Sequence, residues 1–201
     1  YSEIGKNCTA IRVDNEVVIL DMGLHMDKYI EYTQDEDISA FTYDELQKVD
    51  AIPDLSIIQD WKDKVKAIVP SHGHLDHVGA VPFGAGQFNA PIICTPYTAE
   101  VIKGTLRDER LQIPNKIIPI PPNGTYKVSP KITIELVHVT HSIVQTAIVV
   151  IHTPYGHILY ANDYKLDNTP VLGQKSNIKR IQELGKEGVL ALIVDSIYAD
   201  Q

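Results

Sequence analysis

The sequence predicts an α/β protein in which two β-sheets are covered by helices on their outer faces. Three observations carry that prediction. β-branched and apolar runs arrive in groups, one before residue 21 and a longer one between Lys116 and Ala161, with helix-like segments between the groups. The 201 residues are 44% hydrophobic and 22% charged, which suits one domain with its own core. The residues able to do chemistry fall just past the ends of apolar runs, as His72 to His77 do after Ala67-Ile68-Val69.

The opening, Tyr1 to Asn7, has neither an initiator Met nor a strand before it, as expected of a piece that begins inside a longer protein. Thr9 to Val13 and Val17 to Leu20 are β-branched runs separated by Asp14-Asn15-Glu16, a hairpin pattern. Leu24 to Lys64 has no sustained period. Its Thr42-Tyr43-Asp44-Glu45 reads as a capping box opening a short helix, and Pro53 closes that region, so a loop with one or two helical turns is expected. After the histidine-rich loop, His77 to Val81 should start a helix that Pro82 to Gly86 ends. Pro91 to Cys94 reads as a buried strand, and Thr95 caps a helix with Pro96 in its first turn and Ala99, Ile102 and Leu106 on its apolar face. Strands follow at Lys116 to Ile120, Thr125 to Val128, Ile132 to Val139, Gln145 to His152 and His157 to Ala161, the last two joined by the turn Pro154-Tyr155-Gly156. Ile178 to Leu184 is a helix closed by Gly185, and Val189 to Val194 a buried strand running into Asp195-Ser196.

Composition narrows the setting. Two cysteines, Cys8 and Cys94, are too few for a disulfide framework and suit a reducing compartment, where both serve as small core residues. No apolar run approaches the roughly 20 residues that cross a bilayer, so a cytoplasmic protein is expected. The net charge of -8 argues against a polyanionic partner until its distribution is read. Residues 27–63 hold 11 acidic and 3 basic residues, the whole excess, and read as a solvated segment; the rest of the chain is neutral.

The stretch Ser71-His72-Gly73-His74-Leu75-Asp76-His77 brings three histidines and a carboxylate within six residues. On a loop leaving a strand, His72 and His74 can converge on one ion while Asp76 and His77 face a second. Imidazole and carboxylate without thiolate suit zinc, with manganese or magnesium as alternatives. Gly73 lets the backbone bend between ligands, and Gly79 lets the next segment turn. Two more candidates stand where strands end. His141 lies just past the strand ending at Val139; its rival His138, three residues earlier, would point to the opposite face and sits in a core-like run. Asp163 follows Leu159 to Ala161, and its two oxygens suit it to bridging. The sets are then His72, His74, His141 and Asp163 for one ion, and Asp76, His77 and Asp163 for the other, the second being one ligand short. His25 could approach it, whereas His152 and His157 flank a hairpin turn and read as surface residues. Asp21, at a strand end before Met22-Gly23, can start a turn or accept a hydrogen bond from a ligating histidine. Two cations roughly 3.5 to 4 Å apart can acidify a shared water and offset charge on a phosphodiester. Asp76 is also a candidate proton acceptor, ranked behind its role as ligand.

The metal loop resembles the His-x-His-x-Asp-His signature of the metallo-β-lactamase superfamily. Glu3-Ile4-Gly5-Lys6-Asn7, Val78 to Pro82, Thr140-His141-Ser142, Asn162-Asp163-Tyr164-Lys165 and Asp195-Ser196 resemble its β-CASP nuclease branch, and within that the ribonuclease J family in its archaeal form. The resemblance implies an αββα sandwich of which residues 1–201 are the N-terminal portion, with a β-CASP domain and the completing segments after 201. It implies two zinc ions, catalytic roles for Asp76, Asp163 and Asp195, support of the ligands by Asp21 and Asp195, and a substrate contact at Ser142. Later histidines would complete the second ion. The implied activity is 5′-to-3′ exonuclease action on single-stranded RNA with some endonuclease action, by a homodimer or higher oligomer. Two departures stand out: Asn162 replaces the usual Gly before the Asp, and Ile143-Val144-Gln145-Thr146 differs from the bacterial form. A cleavage and polyadenylation-type endonuclease would instead carry Gly-His and Leu-Gly around His141. A non-catalytic β-CASP subunit binding RNA or protein would usually have lost ligands that this chain keeps.

Overall fold

The computed structural model describes residues 5–33 and 41–195, so Glu3, Ile4 and Ser196 of the motifs above lie outside it. The chain divides into two units, Tyr1–Pro119 and Ile120–Gln201.

The first unit is built on a five-stranded sheet of β1 (Thr9–Val13), β2 (Glu16–Leu20), β3 (Val65–Val69), β4 (Ile92–Cys94) and β5 (Ile117–Pro119), in that order. β1 and β2 form the expected antiparallel hairpin, turned through Asp14 at φ 54°. The remaining pairs are parallel. Parallel strands are apolar along their length because both faces are covered, and Val17 to Leu20 are fully buried accordingly. Parallel pairing also needs crossovers, which supply the helices α1 (Met26–Thr33), α2 (Tyr43–Lys48), α3 (Leu75–Val78), α4 (Val81–Gly84) and α5 (Pro96–Asp108). Their core gathers Ile19, Met22, Leu46, Ile68, Ile92 and Ile102.

The crossover between β2 and β3 is more helical than the sequence suggests. Thr42 and Glu45 do form the capping box of α2, but α1 precedes it, and a kinked 3-10 segment, Leu55–Lys64, follows Pro53 under an Asp54 cap. Neither has a long enough apolar stripe to stand out. Pro82 does not end a helix as expected; it sits in the first turn of α4, where its missing N–H costs nothing. The α5 prediction holds, with Thr95 at the cap position, Pro96 in the first turn and Ala99 and Ile102 buried.

In the second unit the sheet order is β10 (Val189–Val194), β9 (Gly156–Ala161), β8 (Ala147–Thr153), β7 (Thr133–His138) and β6 (Thr125–Lys127). All pairs are antiparallel except β10 with β9. Helix α6 (Ile178–Glu187) lays Leu184 and Ile181 against Val137, Ile148 and Val150. It runs past Gly185 to Gly188, whose φ of 105° is the left-handed conformation that stops a helix; a glycine inside the helix only weakens it. The expectation of a buried final strand fails. β10 pairs only with β9 among the described residues, and Leu190 and Leu192 are 57% and 58% exposed.

Candidate metal centre

β3 is apolar and buried except at Lys66, and it delivers the loop that starts at Ser71. Ser71, His72 and His77 are buried, and α3 begins directly after His74, so Asp76 and His77 sit on its first turns. The organising group is Asp21 at the end of β2, fully buried, with φ 58°. Its Oδ1 accepts the Ser71 N–H at 2.7 Å, and its Oδ2 accepts the Ser71 hydroxyl at 3.1 Å and lies 2.7 Å from His77 Nδ1. A carboxylate only accepts, so His77 carries its hydrogen on Nδ1 and turns the Nε2 lone pair outward. Because the Ser71 hydroxyl is spent on Asp21, Ser71 Oγ accepts from His72 Nδ1 at 3.0 Å, which leaves His72 Nε2 as the lone-pair nitrogen. That atom lies 3.0 Å from His74 Nδ1, and His77 Nε2 lies 3.4 Å from Asp76 Oδ2. These separations match the edge of roughly 3.3 Å expected between ligands about 2.0–2.1 Å from a zinc-sized ion. Donor type, tautomer and spacing therefore fit a divalent cation.

Close backbone packing fixes the loop. Met22 N–H donates to the His77 carbonyl at 2.7 Å and Leu24 N–H to the Leu75 carbonyl at 2.9 Å. A Cβ on Gly23 would stand 1.5 Å from the Asp76 carbonyl oxygen, so only glycine fits. Gly79 is needed for room rather than for a turn: its φ is -67°, and a Cβ would meet Leu24 and the Leu75 carbonyl at 2.6 Å. Gly73 does not adopt a left-handed φ. Asn7, which the sequence marks only as part of a motif, donates its amide to the Asp76 carbonyl at 3.1 Å. Burial, with the Asp21 charge behind it, pushes the Cys8 thiol up to about 12, which keeps it a protonated, partly buried residue packed against the core rather than a ligand.

In the second unit His141 follows β7 and Asp163 follows β9, with His141 Nε2 3.5 Å from Asp163 Oδ2. Thr140 holds the two strand ends together: its N–H donates to Ser176 Oγ at 2.9 Å, its carbonyl accepts from Lys165 N–H at 2.8 Å, and its hydroxyl donates to the Lys165 carbonyl. The sequence marks Thr140 only as part of the Thr140-His141-Ser142 motif and does not mark Ser176, because the bonds from Thr140 to Lys165 and to Ser176 span 25 and 36 positions. His138 is buried and donates Nε2–H to the Gln174 carbonyl at 3.0 Å. Ser142 is exposed, and Asn162 donates its amide to the Tyr160 hydroxyl at 3.0 Å. Asp195 is exposed past β10, its N–H 3.4 Å from the Ala161 carbonyl.

The other histidines have different work. His25 directly precedes α1, with Nδ1 accepting the Lys28 N–H at 3.5 Å. His152 and His157 are not loose surface residues: they pair across the β8–β9 hairpin with Nδ1 atoms 2.9 Å apart. His152 Nε2 is 2.7 Å from Glu135 and His157 Nε2 3.2 Å from Glu187, and Arg180 bonds both carboxylates.

Residues 2–176 match the family described as the metallo-beta-lactamase superfamily. The chain is 43% identical, over 98% of its length, to "Ribonuclease J" of Methanocaldococcus jannaschii, covering 44% of that protein. It is also 43% identical to "Ribonuclease J" of Pyrococcus abyssi, covering 43%. It thus spans less than half the length of these curated relatives. Among solved structures, a metallo-beta-lactamase of Cronobacter sakazakii aligns with TM-score 0.56 at 12% identity over 96% of this chain and 74% of that one. Zn(2+)-bound PqqB of Methylobacterium extorquens aligns with TM-score 0.54 at 13% identity over 92% and 58%. Likeness at this identity shows a shared fold.

Proposed function

The chain belongs to the metallo-beta-lactamase superfamily, and from that premise we propose that it is the N-terminal, metal-binding part of a ribonuclease of the ribonuclease J kind. The observation that carries the reading is the Asp21–Ser71–His72 and Asp21–His77 relay, which fixes both buried imidazoles as acceptors at Nε2, the form a cation needs. From the sequence motifs and the family match, we assign His72, His74, His141 and Asp163 to one ion and Asp76, His77 and Asp163 to the other. Zinc is the preferred ion, manganese or magnesium the alternatives. When bound, two such ions would polarise a phosphodiester of single-stranded RNA and acidify a water beside it.

The chain's own residues supply the rest. Asp21 and Ser71 orient the imidazoles, Thr140 holds the ends that carry His141 and Asp163, and Asp76 stands where a proton could be accepted. Asp195 and exposed Ser142 are assigned to support of the centre and to contact with the RNA phosphate. The proposed setting is cytoplasmic, with a β-CASP domain after residue 201, assembly as a homodimer or higher oligomer, and 5′-to-3′ exonuclease action with some endonuclease action. No described helix is long and apolar enough to cross a membrane.

The test uses the full-length protein and a 5′-labelled single-stranded RNA. Cleavage should be abolished by chelation, restored by zinc or manganese, and reduced by about 100-fold or more in His74→Ala, because losing a ligand removes several kcal/mol of charge stabilisation. Intact RNA under all metal conditions, or full activity in His74→Ala, would overturn the reading.

A further inference from the structure

We infer that Asn7 is a positioning residue for the second cation, holding the Asp76 and His77 ligand atoms in register. The inference rests on the two-cation reading above and adds to it a residue outside the ligand set. The Asn7 side-chain nitrogen donates to the Asp76 carbonyl at 3.1 Å and lies 3.4 Å from Asp76 Oδ2 and 3.2 Å from His77 Nε2. One amide thus touches the backbone and the carboxylate of one ligand and the ring nitrogen of the next. The two ligand atoms it touches are themselves 3.4 Å apart. An amide NH2 has two hydrogens, so one can stay on the Asp76 carbonyl while the other follows the carboxylate as it closes on an ion.

The arrangement is selective. Asn7 reaches Asp76 and His77, the pair assigned to the second ion, whereas the His72 and His74 nitrogens are set by Ser71 and by each other. The second set is also the one short of ligands, so it depends more on preorganisation of those it has. The Asn7 backbone is anchored independently of the side chain: its N–H donates to the Asp76 carbonyl at 3.1 Å, and its carbonyl accepts the Gly23 N–H at 3.0 Å. Replacing the side chain therefore removes the amide without removing the strap.

Zinc titration of the metal-free full-length protein by calorimetry, with bound metal counted by mass spectrometry, tests this. Wild type should take two ions. Asn7→Ala should keep the first with unchanged affinity and bind the second about 10 to 100-fold more weakly, the usual effect of losing a ligand's supporting hydrogen bond. At saturating zinc its RNA cleavage should recover toward wild type with unchanged KM. Equal affinity for both ions in Asn7→Ala, or equal weakening of both, would overturn the inference while leaving the ribonuclease reading in place. A wild type that takes fewer than two ions would overturn both. Should Asn7→Ala fold poorly, wild type labelled with 15N at asparagine decides the matter. The Asn7 side-chain amide must shift with the second equivalent of zinc, and a shift complete with the first would contradict the inference.

Discussion

Single side chains decide the tautomers here, and Asp21 decides most of them. Asp21→Asn keeps the shape but presents an amide where the buried His77 N–H and Ser71 groups need acceptors. Leaving a buried donor unsatisfied costs about 1–3 kcal/mol, and losing the orientation of His77 should weaken cation binding about 10 to 100-fold. Thermal unfolding of the metal-free protein and a zinc titration measure the two effects separately. An Asp21→Asn variant equal to wild type in both would remove Asp21 from the centre. The donor residues were legible in the sequence because they are chemically distinctive and crowd one loop or follow apolar runs. Asn7, Ser71 and Thr140 were not legible as positioners, because a hydrogen bond between residues 69 positions apart, as from Asn7 to Asp76, leaves no local pattern.

Among the elements, those with a local signal are the ones whose form follows from the sequence. The β1–β2 hairpin, the capped α2 and the Pro-started α5 each follow from residues within a few positions. Those set by tertiary context are not: α1 is only 8 residues long, the 3-10 segment is kinked at Ile58, and exposure of β10 depends on what lies beside it. The clamp between α6 and the β7–β9 sheet is likewise tertiary. Burial alone would raise the Glu135 carboxyl, but hydrogen bonds from His152 and Arg180 outweigh it and hold the group at about 2, against an ordinary value of 4.5. A depressed carboxyl contributes stability that is complete above pH about 4.5 and is lost as pH falls toward 2. The contribution is up to about 3 kcal/mol at neutral pH. Glu135→Gln should therefore lower stability at pH 7 and flatten its decline between pH 4.5 and 2. Acid unfolding curves of the two proteins check this, and parallel curves would show that Glu135 is not the titrating group.

For the molecule as a whole, cations bound only by the folded chain must stabilise it by mass action. At a free concentration 100 times the dissociation constant the gain is about 2.7 kcal/mol per site. Chelation of the full-length protein should lower Tm by several degrees, reversibly on zinc return, and scanning calorimetry with and without chelator measures it. The account as a whole stands on the donors at the end of β3 holding cations. Its most direct test is the metal content of the full-length protein purified without chelator, read by mass spectrometry beside His77→Ala. The account predicts two divalent ions per chain in the wild type and about one in His77→Ala; a metal-free wild type, or an unchanged count in the variant, would contradict it.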